Sequence, residues 1–349
     1  MKKYDSFILS LFQHGDKVRY STLAHLLRGK RTTSILMYGF FYGVLPYFSL
    51  FPKMTEEQLN PIIQTLIGEN LLVELAPGIV QISQKGKDYL KSNPVIEHVG
   101  LNSFYYGRVD KPYLELVLFA TQVVSEYCHH NVQYQPIETN GYKQYVIRHW
   151  FQTLPKDRQL LGRLFYQEWQ GLIASFPEMT RPFAVAFLTG HGQIGQTASQ
   201  LAESSGLAPF EMTLIIKQLS HLGIHQILTF PERFSYLGEL YQRLDKPVVN
   251  ESAFKTYQLF QKGFSLAEIC QERRLKESTV SDHLIEWAII QEDFDFSRVL
   301  TTTEKAQLGQ LLTSKGNVRD WRYADLGRET ADISFFAFRC FQIHHLRGG

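Results

Sequence analysis

The sequence predicts a mainly α-helical protein that contains one small β-hairpin. Apolar residues recur with the 3.6-residue period of helices far more often than they alternate as in strands. Hydrophobic residues make up 44% of the 349 residues and aromatic residues 13%, which is enough for several well-filled cores. A Ser or Thr followed three residues later by Glu or Gln forms the capping box that begins a helix, and it occurs at Thr55/Gln58, Thr197/Gln200 and Ser265/Glu268. We therefore predict three domains, at residues 1–105, 106–248 and 249–349.

The first domain has the order of elements expected of a winged helix. An apolar stripe from Tyr4 to Phe12 predicts a first helix, and a shorter helix follows from Ser21 to Leu27. The capping box at Thr55 begins another helix. Two short extended runs, Leu71 to Glu74 and Ile79 to Ser83, then flank a turn at Ala76-Pro77-Gly78 and predict a hairpin that forms the wing.

Basic residues are concentrated in this first domain. Residues 1–91 hold 11 Lys or Arg against 7 Asp or Glu, although the whole chain is nearly balanced at 36 against 34. We expect phosphate contacts, without sequence reading, from the loop residues Arg28, Lys30 and Arg31 and from Lys85 and Lys87 beside the wing. The alternative is that the Arg28 to Ser34 loop is an ordinary solvated surface.

The central domain should consist of packed helices. Periodic apolar residues predict helices around Leu114 to Ser125, Tyr145 to Gln152 and Leu160 to Ile173. The frequent aromatic residues here indicate a core, and a base-stacking surface is the alternative. The capping box at Thr197 predicts a second helix-turn-helix at 197–222, with His225 to Tyr236 as a short wing, but simple helical packing explains that segment equally well.

The third domain contains the most informative stretch, Thr256 to Leu284. One helix opens near Leu266 after the Ser265 capping box, and a second begins at Ser278 or Thr279 with its apolar residues on one face. This pattern is typical of a helix-turn-helix, whose second helix enters a DNA groove, although two helices that merely pack are the alternative. The candidate DNA-contacting residues are Arg273, Arg274, Lys276, Ser278, Thr279 and Ser281.

These residues carry a resemblance to helicases. The segment from Gly263 to Leu284 resembles the helix-turn-helix at the C-terminal end of some RecQ-type helicases, and Phe294 to Arg298 and Ile333 to Arg339 stand where that module has its closing helices. The N-terminal region, from the Leu27-Arg28-Gly29 loop to the Ile79 to Ser83 strand, resembles the RQC winged-helix domain of the same helicases. Together, without a motor, they resemble the YpbB family of bacterial proteins.

The resemblance implies a DNA-binding accessory protein that acts beside a separately encoded RecQ-type helicase in DNA repair or recombination. In the helicase family an aromatic residue at the wing tip can stack at a duplex junction, whereas the tip here is Ala76-Pro77-Gly78. The four-cysteine zinc site of RecQ helicases is not expected either, because the chain has only Cys128, Cys270 and Cys340. A transcription regulator and a protein scaffold without DNA contact are the alternatives.

Mixed charge on the second helix of the helix-turn-helix argues against sequence reading. Its candidate exposed residues, Ser281, Asp282 and Glu286, include two acids that phosphates would repel. We therefore expect this module to act mainly in positioning or docking the helicase.

Enzymatic motifs are missing from the sequence. The glycine-rich stretch Gly190 to Thr197 has the spacing of a phosphate-binding loop, but Gln196 stands where that loop needs Lys. Adjacent histidines at 129–130 and 344–345 match no usual metal-ligand spacing. We predict no enzymatic activity, no cofactor and no metal. With no apolar run long enough for a membrane span and three scattered cysteines, we expect a cytoplasmic protein; its oligomeric state is not predicted.

Overall fold

The computed structural model describes residues 3–93, 95, 99–244, 250–327, 330 and 332–348. It is mainly helical, as predicted, with one small β-structure. The chain divides into two compact units: the first comprises residues 1–17 and 60–248, and the second comprises residues 18–59 and 249–349. The predicted segment 1–105 is thus shared between the two units, and the three-domain division stays a prediction.

The described residues form the following elements in chain order. The helices are α1 (Lys3–Ser10), α2 (Tyr20–Arg28), α3 (Thr33–Phe41), α4 (Glu56–Gly68), α5 (Gln84–Ser92), α6 (Ser103–Tyr106), α7 (Asp110–Cys128), α8 (Gly141–Thr153), α9 (Arg158–Ala174), α10 (Arg181–Ala186), α11 (Ala198–Ser204), α12 (Pro209–Thr229), α13 (Ser235–Gln242), α14 (Glu251–Gln261), α15 (Leu266–Arg273), α16 (Glu277–Ile290), α17 (Thr302–Lys315) and α18 (Phe335–Leu346). The strands are β1 (Val18–Arg19), β2 (Leu72–Ala76) and β3 (Ile79–Ile82).

The predicted hairpin is confirmed. Strands β2 and β3 are antiparallel, with Leu72 opposite Ile82, and the register is irregular between Glu74 and Ala76. Gly78 supports the tight turn with φ of 75°, a value that a residue with a Cβ rarely adopts. Its amide donates to the Glu74 carboxylate over 2.9 Å. The wing turn is therefore built from local hydrogen bonds and one glycine.

The first unit is organised around α7, which packs against α8, α9, α12 and α13. The apolar side chains between these helices form a continuous core, with Trp150 and Leu161 completely buried. Asp110 at the start of α7 is buried as well and accepts hydrogen bonds from Lys217 at 2.5 Å and His221 at 3.1 Å, both on α12. Burial of an ion pair requires such partners.

Helix α12 corrects one prediction. The Thr197 capping box is present, and α11 and α12 form the expected helix pair. However, α12 continues to Thr229 because Ile224 and Ile227 extend its apolar face into the core. The expectation that His225 to Tyr236 forms a wing is therefore wrong, and α13 follows instead.

The second unit is organised around α16. This helix packs against α3, α14, α15 and α18, and eight of its 14 residues are buried. Trp287 stacks on Tyr257 with ring centroids 4.5 Å apart. At the C-terminal end of α16, the Arg347 guanidinium donates to the carbonyls of Ile289 and Gln291. Carbonyls at the end of a helix have no hydrogen-bond donor within the helix, so Arg347 supplies one.

Candidate nucleic-acid interface

The helix-turn-helix predicted at the C-terminal end is present as α15 and α16. Ser265 accepts from the Glu268 amide, and the Glu268 carboxylate accepts from the Ser265 amide, so the capping box is reciprocal. Arg274 ends α15 in the left-handed conformation, with φ of 51°. The turn places Lys276 at the N-cap of α16 without a side-chain cap. The second helix thus begins at Glu277, close to the predicted start.

One face of α16 is occupied by α3 of the same unit. The Arg31 guanidinium, just before α3, donates to both carboxylate oxygens of Glu286, over 3.0 Å from Nε and 2.6 Å from Nη2. Thr33 donates to Asp282 one turn earlier on α16. A bidentate pair of this kind fixes both position and orientation. Helix α3 therefore lies where a DNA groove would have to meet this part of α16.

This packing corrects the expected exposure of α16. Asp282 is exposed as expected, but Ser281 is only 8% exposed and Glu286 only 5%. The reason is a contact between residues 255 positions apart, Arg31 and Glu286, that no local pattern reveals. Arg31 itself is engaged by this contact, so its charge is already compensated within the protein.

Arg273 also has partners inside the second unit. Its guanidinium donates to the Thr256 hydroxyl over 2.6 Å and to the Ser252 carbonyl over 2.8 Å, which ties the turn to α14. Thr256 lies 2.9 Å from His283 Nδ1, and burial lowers the pKa of His283, with Arg273 lowering it further. Arg273 therefore holds α15 to α14, and the contact between Thr256 and His283 links α14 to α16.

Four of the candidate DNA-contacting residues in the second unit are basic and exposed. Arg28 and Lys30 lie in the turn before α3, and Arg274 and Lys276 lie in the turn before α16. Arg31, which follows the first turn, contacts Glu286, nine residues after the start of α16 at Glu277, whereas the second turn directly precedes that start. Exposed Ser278 and half-buried Thr279 follow the second turn, so this basic turn lies at a helix N-terminus, which favours anions.

Lys85 and Lys87 lie in the first unit, on helix α5, which was not predicted from the sequence. Ser83 accepts from the Gly86 amide and begins α5 immediately after the wing, so a Ser N-cap was the available signal. Both lysines are exposed, and Lys85 donates to the Glu69 carbonyl over 2.8 Å. They flank the wing as expected.

The glycine-rich stretch forms a tight turn and not a loop between a strand and a helix. Helix α10 precedes it, and Gly190 and Gln193 exchange backbone hydrogen bonds of 2.9 and 3.1 Å. A Cβ on Gly195 would lie 2.3 Å from the Phe187 carbonyl oxygen, so the glycine permits close backbone packing. His129 stacks on His191 at 4.7 Å, and the part of the chain that the structure describes holds no cluster of three metal-ligating side chains.

Comparisons with known proteins agree with this arrangement. Residues 4–99 match the RQC domain family, and residues 252–342 match a helix-turn-helix domain family. The chain is similar to Protein YpbB of Bacillus subtilis (strain 168), with 21% identity over 303 residues that cover 83% of each protein. The chain is a YpbB homologue with RQC and helix-turn-helix domains. No solved structure matches it.

In this YpbB homologue the two matched domains are non-catalytic DNA-binding domains. They indicate a DNA-binding protein related to the accessory part of RecQ. The N-terminal region is accordingly a winged helix of the RQC kind within a mainly α architecture. Among the described residues, none of the helices has the length and apolar character needed to cross a membrane.

Proposed function

We propose that this protein is a non-enzymatic DNA-binding accessory factor that acts with a RecQ-type helicase in DNA repair or recombination. The observation that carries the proposal is the pair of exposed basic turns in the second unit, Arg28/Lys30 before α3 and Arg274/Lys276 before α16. Exposed cations in turns before helices are suited to phosphate oxygens, which fix a protein on DNA without reading sequence. Lys85 and Lys87 on α5 are proposed as additional phosphate contacts.

The arrangement of α16 favours positioning over sequence reading. Its Glu286 is paired with Arg31, and its Ser281 is buried. Direct reading of bases needs side chains free to reach into the major groove. A transcription regulator that reads DNA through α16 is therefore disfavoured. Arg274 and Lys276 in the turn are exposed, and so are the acids Glu272 and Glu277 on either side of it.

This mixed charge suits a protein partner as well as DNA, since complementary charges steer protein association. We propose that the acids Glu272 and Glu277 face a RecQ-type helicase while the neighbouring cations touch the phosphates of its substrate. Each contact is weak by itself, and linking them raises the effective concentration of the second.

The salt dependence of DNA binding tests the phosphate contacts. Each Lys or Arg that neutralises a phosphate on duplex DNA contributes about 0.9 to the slope of log affinity against log salt. Changing both Arg28 and Lys30 to Ala should flatten the slope by roughly two units, and so should the pair Arg274→Ala and Lys276→Ala. Adding Arg31→Ala should flatten it little further, because Arg31 is held by Glu286.

The matched control removes two exposed cations elsewhere in the same unit, Lys262 and Arg322. The slope should stay unchanged in that double variant. Equal slopes for all three double variants would contradict the proposed duplex contact. No DNA binding at any salt concentration, with helicase association intact, would instead support a protein scaffold.

The proposal also includes the absence of ATP turnover. Gln196 stands where a phosphate-binding loop needs Lys, and the tight turn from Gly190 to Gln193 that precedes it does not follow a strand. ATP hydrolysis that survives repurification and is lost in the Thr197→Ala variant would contradict this part of the proposal.

A further inference from the structure

The outer face of α8 carries exposed aromatic residues and an exposed arginine, and the proposed duplex contacts do not use it. Helix α8 buries Val146, Ile147 and Trp150 against the core of the first unit. Its opposite face carries Tyr142 and Tyr145, which are 51% and 56% exposed. Large aromatic rings usually lie inside a protein, so two exposed rings one helical turn apart are an unusual feature.

The rings on this face are ordered by contacts along the helix. Tyr145 packs against His149 with ring centroids 3.9 Å apart, and His149 Nδ1 lies 2.9 Å from the Tyr145 carbonyl oxygen. Arg148 stands beside them, exposed and without a hydrogen-bond or ion-pair partner among the described residues. On α9, Arg163 and Tyr166 repeat the combination three residues apart, with Tyr166 65% exposed.

Charge on this surface is strongly one-sided. Residues 141–167 contain five Lys or Arg and one acidic residue, Asp157, whereas the whole chain is nearly balanced at 36 against 34. The neighbouring carboxylates of Glu115 and Glu138 both accept from Lys143, at 2.8 and 2.6 Å, so this cation is already paired. Asp157 caps α9 by accepting from the Leu160 amide. Of the five cations, Arg148 and Arg163 are exposed and have no ion-pair partner among the described residues.

We propose that the outer face of α8, defined by Tyr142, Tyr145 and Arg148, binds single-stranded nucleic acid. Exposed rings stack on base faces, which only an unpaired strand offers, and a neighbouring arginine attracts its backbone. A duplex presents base edges and phosphates and would leave the rings unused. This inference rests on the proposed function for the choice of DNA as the ligand. It deepens that function by naming an unpaired strand as the form of DNA that the first unit binds.

Binding of a labelled oligothymidylate and of a duplex of the same length, measured by fluorescence anisotropy on the full chain, tests the surface. Tyr145→Ala should weaken single-strand binding roughly fivefold or more, because stacking on one base is worth that factor. Tyr145→Phe keeps the ring and should stay within about twofold of the parent, since stacking tolerates loss of the hydroxyl. Duplex affinity should be unchanged in both variants.

Arg148→Ala should lower single-strand affinity and flatten its salt slope by about 0.7, the value for one phosphate on a single strand. Lys262→Ala, which removes an exposed cation from the second unit, is the matched control. It should change neither the single-strand affinity nor its salt slope. Circular dichroism should show each variant folded, because the changed side chains lie outside the core. Unchanged single-strand affinity in both Tyr145→Ala and Arg148→Ala would overturn the inference.

The outcomes separate this inference from the proposed function. In one outcome the Arg28/Lys30 variant flattens the salt slope of duplex binding, but the parent protein does not bind a single strand. This result would overturn the inference and leave the proposed function standing. In the opposite outcome, single-strand binding depends on Tyr145, but the turn variants do not change the salt slope of duplex binding. This result would support the inference and contradict the proposed duplex contacts. If Tyr145→Ala lost helicase association and kept single-strand affinity, the surface would bind a protein and the inference would be wrong.

Discussion

The α15–α16 helix-turn-helix and the outer face of α8 carry opposite kinds of information. The first has a recognisable capping box and spacing, yet its second helix is the centre of its unit, with Glu286 buried and paired. The second has no named motif, yet its two tyrosines and Arg148 are exposed. The difference teaches that a motif specifies how two helices meet, whereas availability for a ligand depends on what the rest of the chain packs against them.

Breaking the α3–α16 contact should produce the largest effect. Replacing Arg31 by Ala leaves the nearly buried Glu286 carboxylate without its partner, which costs about 3 kcal/mol in such pairs. Urea unfolding followed by Trp fluorescence measures this cost, because Trp287 lies on α16. Arg28→Ala, which removes an exposed Arg from the same loop, should change stability by less than about 0.5 kcal/mol.

A second variant separates the charge from the packing. Changing Arg31 to Met together with Glu286 to Leu should recover much of the lost stability, because an apolar pair of similar volume avoids burying an unpaired charge. If Arg31→Ala were as stable as Arg28→Ala, the pairing of α3 with α16 would not stabilise the second unit.

Acid should weaken the first unit through His221. Burial lowers the pKa of His221 below its ordinary 6.5, against the opposing effect of Asp110. The unfolded chain therefore takes up a proton first, and stability is present above about pH 6.5 and lost as the pH falls, by up to about 1.4 kcal/mol per pH unit. His221→Gln should flatten the dependence of the thermal midpoint between pH 7 and about pH 5.

Asp110 affects the pH dependence of stability only at lower pH, so it does not interfere with the measurement on His221. Burial alone would raise the pKa of Asp110, but the hydrogen bond from His221 and the charge of Lys217 lower it below 3.8. Its contribution is present above that value and is lost only in stronger acid. An equally steep pH dependence in the parent and the His221→Gln variant would contradict the assignment to His221.

The smallest expected effect on DNA affinity comes from the acids beside the basic turn. Changing Glu272 and Glu277 to Gln removes two exposed carboxylates near Arg274 and Lys276, so duplex affinity should rise slightly. Association with a RecQ-type helicase, measured by interferometry, should fall if these acids face that partner. Unchanged helicase binding would place the docking surface elsewhere. Point substitutions are preferable to a truncation near Asn250, which would remove the helices that α3 packs against.

Local signals in the sequence predicted the helices well. The capping boxes at Ser265 and Thr197 are present as expected, and the turn at Pro77-Gly78 joins the two wing strands. These features depend on neighbouring residues, so a few positions suffice to specify them. The same reasoning missed α5 because its apolar face is short, although Ser83 was a usable N-cap.

Long-range packing could not be predicted in the same way. Arg31 and Glu286 are 255 residues apart, and each side chain alone is typical of a solvated surface. The division of aromatic residues between core and surface on α8 also depends on which face meets α7, which the period alone does not assign. The sequence therefore predicts the fold of this protein more closely than the accessibility of its candidate site.

Hydrogen exchange of the full chain, with and without saturating oligothymidylate, tests the central claim most directly. Binding should slow exchange in peptides that cover α8, residues 141–153, because the strand excludes water from its outer face. Exchange in α16, residues 277–290, should stay unchanged, since its helix is already enclosed by its own unit. Protection of α16 with no change in α8 would contradict the account.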